Sequence, residues 1–360
     1  MKKMKRSGLV LITLIISSSA FVLGIKPLVN AQGIHEIDIA VAIAPLGGIV
    51  DKIGGAFIAT SILLTEGVEP HAFTVDPSII AIADNADLLV LTGHYHWEED
   101  LANQTSTPFI SLDDPAAMER YEDFGAALSP MPGVHAEGES PDQHDHEEGN
   151  PHAYWLSPRN AIAIANATTS ALAALNTTLA NVWQSNFNDF ASDVDALRDL
   201  VAEADSEYRF SEMHAVVVFP AEAYVAEAFG IEVEAALIQG SQTITGDELL
   251  QVQNALRNGS IELILGSDVS RLQAGGEFAE QLVQDYGGKL IWWRAVFFSG
   301  LSDYVSVMTY NLGALASGLE GESNPGQTDV INVALIALVI VLAVFISIET
   351  VVLIVRARAE

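Results

Sequence analysis

The feature that most constrains this chain's fold is one unbroken helical period over residues 179–208. Apolar side chains recur there at Val182, Phe187, Phe190, Val194, Leu197, Leu200 and Val201, at the spacing of a helix face. All seven are expected in the core. A segment this long exceeds the average helix of about 11–12 residues. It therefore predicts a helix that spans two bodies.

Short apolar strands alternate with helices on both sides of that segment. Before it, strands are expected at 37–44, 56–64, 87–92 and 108–112, with helices at 46–53, 78–86 and 160–175. After it, strands are expected at 215–219, 232–238, 262–266 and 289–293, with helices at 221–229, 247–258, 278–286 and 303–319. Such alternation builds parallel sheets covered by helices. The fold class is α/β: an N-terminal lobe at 33–176, a linking helix at 177–208 and a C-terminal lobe at 209–320, each lobe with a mostly parallel sheet.

The ends are of a different kind. Lys2, Lys3, Lys5 and Arg6 precede an apolar run at 9–23, and Val29-Asn30-Ala31 offers small residues before Gln32. Residues 1–31 read as a secretory signal peptide. Residues 330–355 are apolar apart from Asn332 and Glu349, and Arg356 and Arg358 follow. That run is long enough for a transmembrane anchor with a cytoplasmic C-terminus, joined to the body by a spacer at 321–329. The body is thus expected outside the cell. The chain has no cysteine, so disulfides, thiolate metal sites and a cysteine-linked lipid tether are excluded. With 47 acidic and 16 basic residues it carries a net charge of −31. Nucleic acid is excluded as a partner, because phosphate binding needs a basic face.

Four of the nine histidines fall between residues 135 and 152. His135, His144 and His146 lie in a tract rich in acidic residues, 135–149, which reads as a solvated loop. His152 differs, because Pro151 fixes the backbone just before it and Tyr154-Trp155 follow. The arrangement has a second copy, Pro70-His71-Ala72-Phe73, placed just after an expected strand. In open α/β sheets ligands bind at the carboxyl ends of strands, and imidazole and carboxylate suit zinc and other divalent metals. His94 and His96 also follow a strand, but neighbouring loop histidines more often carry no ligand, and their role stays open.

The segments GGAFIATSILLTEGVEPHAFTVDPS, ADLLVLTG, NPHAYWLSPRNA, PAEAYVAEAFGIEV and DYVSVMTYNLGAL, together with the histidine/acid loop, resemble the ZnuA/TroA-like metal-binding solute receptors of zinc and manganese ABC importers. The likeness covers about 36–320. It implies two α/β lobes bridged by a long helix, with metal between them, and it maps His71 and His152 onto the first two ligands. The family's third ligand is usually a histidine where Phe219 or Pro220 stands here. Glu222 is the nearest substitute and His214 a second. The aspartate of manganese-type members is missing or displaced to Asp303.

The expected function is that of an extracytoplasmic receptor, not an enzyme. His71, His152 and Glu222 would take zinc, or alternatively manganese, and pass it to an ABC permease. Affinity is expected to fall as pH drops through about 6.5, where unperturbed histidine titrates. One alternative is a membrane-tethered surface or adhesion protein with a decayed metal site. The other is a zinc hydrolase, although the chain shows no HExxH, GxSxG or phosphate loop.

Overall fold

The computed structural model describes residues 37–133, 149–239, 242–297, 300–301 and 303–320. The expected signal peptide at 1–31, nearly all of the histidine/acid loop, the spacer and the anchor at 330–355 lie outside the described residues. No helix among the described residues is long and apolar enough to cross a membrane.

The first lobe contains β1 (Ile37–Val41), α1 (Ala44–Gly54), β2 (Ile58–Ile62), α2 (Pro77–Asn85), β3 (Leu88–Val90), α3 (His96–Gln104), β4 (Phe109–Ser111), β5 (Glu119–Arg120) and α4 (Pro158–Leu175). Its five strands run in the order β2-β1-β3-β4-β5, all parallel. The inner strands β1, β3 and β4 are largely buried on both faces, which is why they read mainly as apolar runs. The central residues Ile39, Val41, Leu88, Leu89 and Val90 are fully or almost fully buried. Helix α3 has no clear apolar period. Only Trp97 and Leu101 turn its one buried apolar side inward, so the sequence does not announce it.

Helix α5 (Ala180–Tyr208) follows as expected. Its inner stripe, Trp183, Phe190, Val194 and Leu197, is buried, packed on α1 and α4 and on the last helix of the second lobe. Val182 and Leu200 correct the expectation. They are 36% and 41% exposed, because at 3.6 residues per turn both stand about 100° to one side of that stripe.

The second lobe contains β6 (His214–Val217), α6 (Ala223–Phe229), β7 (Glu232–Ala236), a small antiparallel pair β8 (Ile238–Gln239) and β9 (Gln242–Thr243), α7 (Gly246–Asn258), β10 (Leu263–Ser267), α8 (Ala274–Tyr286), β11 (Lys289–Trp293) and α9 (Tyr304–Glu320). The main sheet runs β11-β10-β6-β7, again all parallel. Both sheets are therefore wound outward from a middle strand, and in each the crevice for a ligand opens where the winding reverses.

Candidate metal centre

Two loops that follow β2 and β3, and a third that leads into α4, bring three imidazoles together. The first follows β2. Glu69 caps a short 3-10 turn there, its carboxylate accepting the amides of His71 (3.1 Å) and Ala72 (2.6 Å). The Trp97 indole donates to the Pro70 carbonyl at 3.1 Å. His71 is thus aimed by two contacts, one of which comes from α3.

The second loop follows β3. Gly93 adopts φ +74°, and a Cβ there would lie 2.6 Å from the Ser111 hydroxyl, so only glycine makes this turn cheaply. The turn presents His94. Its shape is held by Glu98, which is 1% exposed and accepts from the Thr92 amide (2.9 Å), the Thr92 hydroxyl (2.6 Å), and the amides of His94 (3.2 Å) and Tyr95 (3.3 Å). Glu98→Ala leaves the His94 amide its bond to the Thr92 hydroxyl (3.0 Å) but strands the amides of Thr92 and Tyr95, and each buried donor without an acceptor costs about 1–3 kcal/mol. Thermal unfolding of the metal-free protein is expected to show a loss of roughly 3 kcal/mol or more on that basis.

The third loop carries Asn150-Pro151-His152. Ala153 sits in the left-handed region at φ 58°, an uncommon conformation for a residue with a Cβ. The surrounding contacts enforce it. The Tyr154 hydroxyl donates to the Thr92 carbonyl (2.8 Å), and the Trp155 indole donates to the Ala295 carbonyl of the second lobe (3.1 Å). The 295–297 turn is itself gathered by the Asp268 carboxylate, which accepts the amides of Ala295 and Phe297 at 3.1 and 2.9 Å.

The ring nitrogens of His71, His94 and His152 all lie within 4.8 Å of one another. His94 Nε2 and His152 Nδ1 are hydrogen-bonded at 2.9 Å. Tetrahedral zinc with ligands at 2.0–2.1 Å needs nitrogens roughly 3.3 Å apart, so this pair needs to part by only a few tenths of an ångström. His94 is the residue that sequence reasoning left unassigned. Its signal was available: like His71, it follows a strand of the central sheet directly. His96 points away, with its side chain 85% exposed and paired at 3.7 Å with Glu99.

Among the described residues, the second lobe brings no donor into this group. Phe219 packs its ring against His152 with centroids 4.8 Å apart. Glu222, expected to close the site, is wholly buried and is not among the grouped donors. It sits one turn behind Phe219 and accepts that residue's amide at 2.7 Å. Burial pushes its carboxyl up to about 7, against the opposing pull of the nearby Ser267 and Ser270 hydroxyls and the Phe219 amide. His214 lies at the start of β6, at the opposite end of that strand, and bonds Glu234 at 2.6 Å. Asp303 caps α9, accepting the Ser306 amide at 3.0 Å.

Burial pushes His94 down to about 3, with neighbouring His152 and His71 adding to the effect. It pushes His152 down to about 4, with His71 adding. His71 is also lowered by burial, against the pull of Glu69. This changes the expected pH dependence. The His94 and His152 rings stay neutral well below pH 6.5, and a neutral ring is what binds metal. Zinc affinity is therefore expected to fall less between pH 7.5 and about 5.5 than it would for three ordinary imidazoles; zinc titrations across this range check it. Stability has a definite sign as well. Each folded-state value lies below the unfolded value of about 6.5, so the stabilisation is complete above 6.5 and is lost as pH falls toward 3. Melting of the metal-free protein should drop across that interval.

Two α/β lobes bridged by a long helix, with three converging imidazoles, define a two-lobed binding protein with a candidate metal centre. The chain belongs to the ZnuA family, zinc-uptake complex component A, periplasmic, whose model matches residues 39–318. The high-affinity zinc uptake system protein ZnuA of Yersinia pestis is 27% identical over 153 residues, 36% of this chain and 44% of that protein. The chain thus matches less than half the length of that relative. Among solved structures, FpvC of Pseudomonas aeruginosa in complex with Mn2+ superposes with a TM-score of 0.62 at 19% identity, over 79% of this chain and 99% of that one. The Mn-bound periplasmic metal binding protein of Candidatus Liberibacter asiaticus does so at 0.59 and 18%, with the same coverage. These likenesses show the fold.

Proposed function

We propose that the protein is an extracytoplasmic receptor that captures a divalent transition metal, zinc foremost, through His71, His94 and His152, and delivers it to an ABC permease. The observation that carries this reading is the convergence of three ring nitrogens within 4.8 Å from three separate loops. Family membership supports metal as the cargo. Three neutral imidazoles favour zinc over manganese, which prefers carboxylate and other oxygen donors. The donor set differs from the one expected, with His94 in place of Glu222. Phe219 leaves no ring nitrogen on the second lobe's side. In this reading the segment 330–355 tethers the receptor, and the loop 135–149 collects metal without belonging to the tight site.

Calorimetric titration of the purified chain tests the proposal. Zinc is expected to bind one-to-one and more tightly than manganese. Binding should weaken strongly in His71→Ala, His94→Ala and His152→Ala, and persist in Glu222→Ala and without residues 135–149. Weak, multi-site binding that disappears with the loop would refute it.

A further inference from the structure

Asn150 is 0% exposed, and all of its polar groups are engaged. Its amide donates to the Ser129 carbonyl at 2.7 Å. Its carbonyl accepts the Tyr224 hydroxyl at 2.5 Å. Its side-chain nitrogen donates to the Pro220 carbonyl at 2.8 Å, and its side-chain oxygen accepts the His152 amide at 3.1 Å. Two of these partners, Tyr224 and Pro220, belong to the second lobe, and Pro220 directly follows Phe219. The fourth is the backbone of the metal-site histidine itself.

We infer that Asn150 is a positioning residue through which the second lobe, whose described residues offer no donor to the grouped imidazoles, holds His152 in place. The inference rests on the receptor reading above. A carboxamide is the side chain that offers an acceptor to one neighbour and a donor to another from a single short stem. Pro151 has no amide hydrogen, so the turn that begins at Asn150 must close on the next amide, that of His152. Directly after this turn Ala153 holds a left-handed conformation, a state that persists only when its surroundings hold it. Loss of the hold from Pro220 and Tyr224 therefore lets the imidazole drift from the other two. Outer partners that orient a metal ligand typically contribute 10–100-fold to affinity.

The test uses the purified full chain, with zinc affinity read by competition against a chromophoric chelator, zinc release by stopped flow, and folding of the metal-free protein by thermal melting. Asn150→Ser keeps an acceptor near the His152 amide but is too short to reach Pro220. It is expected to weaken zinc about 10–100-fold and to speed release. Placed on His152→Ala, the same substitution should change affinity less than about twofold, because independent effects add and shared ones do not. Tyr224→Phe, which removes the hydroxyl from the Asn150 carbonyl, should weaken zinc in the same direction by less. Unchanged zinc affinity in Asn150→Ser overturns the inference, as does an equal loss in the wild-type and His152→Ala backgrounds. Should Asn150→Ser fail to fold, Tyr224→Phe decides, and unchanged affinity there overturns it. Failure of the receptor reading looks different: the wild-type chain itself lacks one-to-one zinc binding, or His152→Ala binds as the wild type does.

Discussion

His152→Ala is expected to lower zinc affinity by more than the roughly 10–100-fold that loss of an outer partner costs. His152 stands between His94 and the apolar wall of the second lobe. It is hydrogen-bonded to His94 at 2.9 Å, its ring centroid is 5.5 Å from that of His71, and Phe219 covers its other side at 4.8 Å. Removing it leaves two nitrogens and an apolar wall, too few donors for a four-coordinate ion. Calorimetry should show zinc binding reduced to the level of the chain's scattered carboxylates. The metal-free variant should melt at pH 7 within a few degrees of the wild type and lose less on acidification, since one buried imidazole that must be kept neutral is gone. A variant that keeps tight one-to-one binding would remove His152 from the site.

Phe219→His is expected to act in the opposite direction. The Phe219 ring already lies against His152 and is 8% exposed, on the face of the group that the second lobe closes. An imidazole of similar shape placed there would add a fourth nitrogen and complete a tetrahedron without large movement. Zinc affinity should rise by about tenfold or more, equivalent to at least ~1.4 kcal/mol. Release should slow, because affinity changes within one interface appear mainly in the off-rate. The cost is a polar group set among apolar neighbours, of about 1–3 kcal/mol where no partner is found. The metal-free variant should therefore melt lower while the zinc-bound form melts higher. Affinity equal to or below that of the wild type would mean that the second lobe's wall does not face the metal.

Much of the architecture was legible in the chain because it rests on periodicity. Helix α5, the apolar strands of both sheets, and the helices expected at 160–175 and 247–258 follow from apolar spacing and punctuation alone, the two helices opening one or two residues earlier than expected. Helix α3 did not, since it buries little more than Trp97 and Leu101. His71 and His152 were legible because proline fixes each before an aromatic-bearing turn. His94 was legible only as one of two histidines after a strand, since what singles it out as a candidate donor is the turn at Gly93 and the buried Glu98 beneath it, and neither reads as a ligand signal. Glu222 illustrates the reverse case. An acidic residue one turn beyond a vacant ligand position looks like a substitute, yet its distance along the helix turns it inward, where it caps the Phe219 amide.

Helix α5 carries one consequence beyond the joining of two lobes. At 1.5 Å per residue its 29 residues form a strut about 40 Å long, glued along one stripe to α1 and α4 on one side and α9 on the other. A shared strut stores little travel. In the proposed receptor role, unloading would not need the lobes to swing wide, as jaws would. Displacements of the order of an ångström would be enough for three converging nitrogens to lose their common focus. A docking permease would then act as a key that shifts one tumbler, and the speed of exchange would be set by how stiffly that tumbler is sprung.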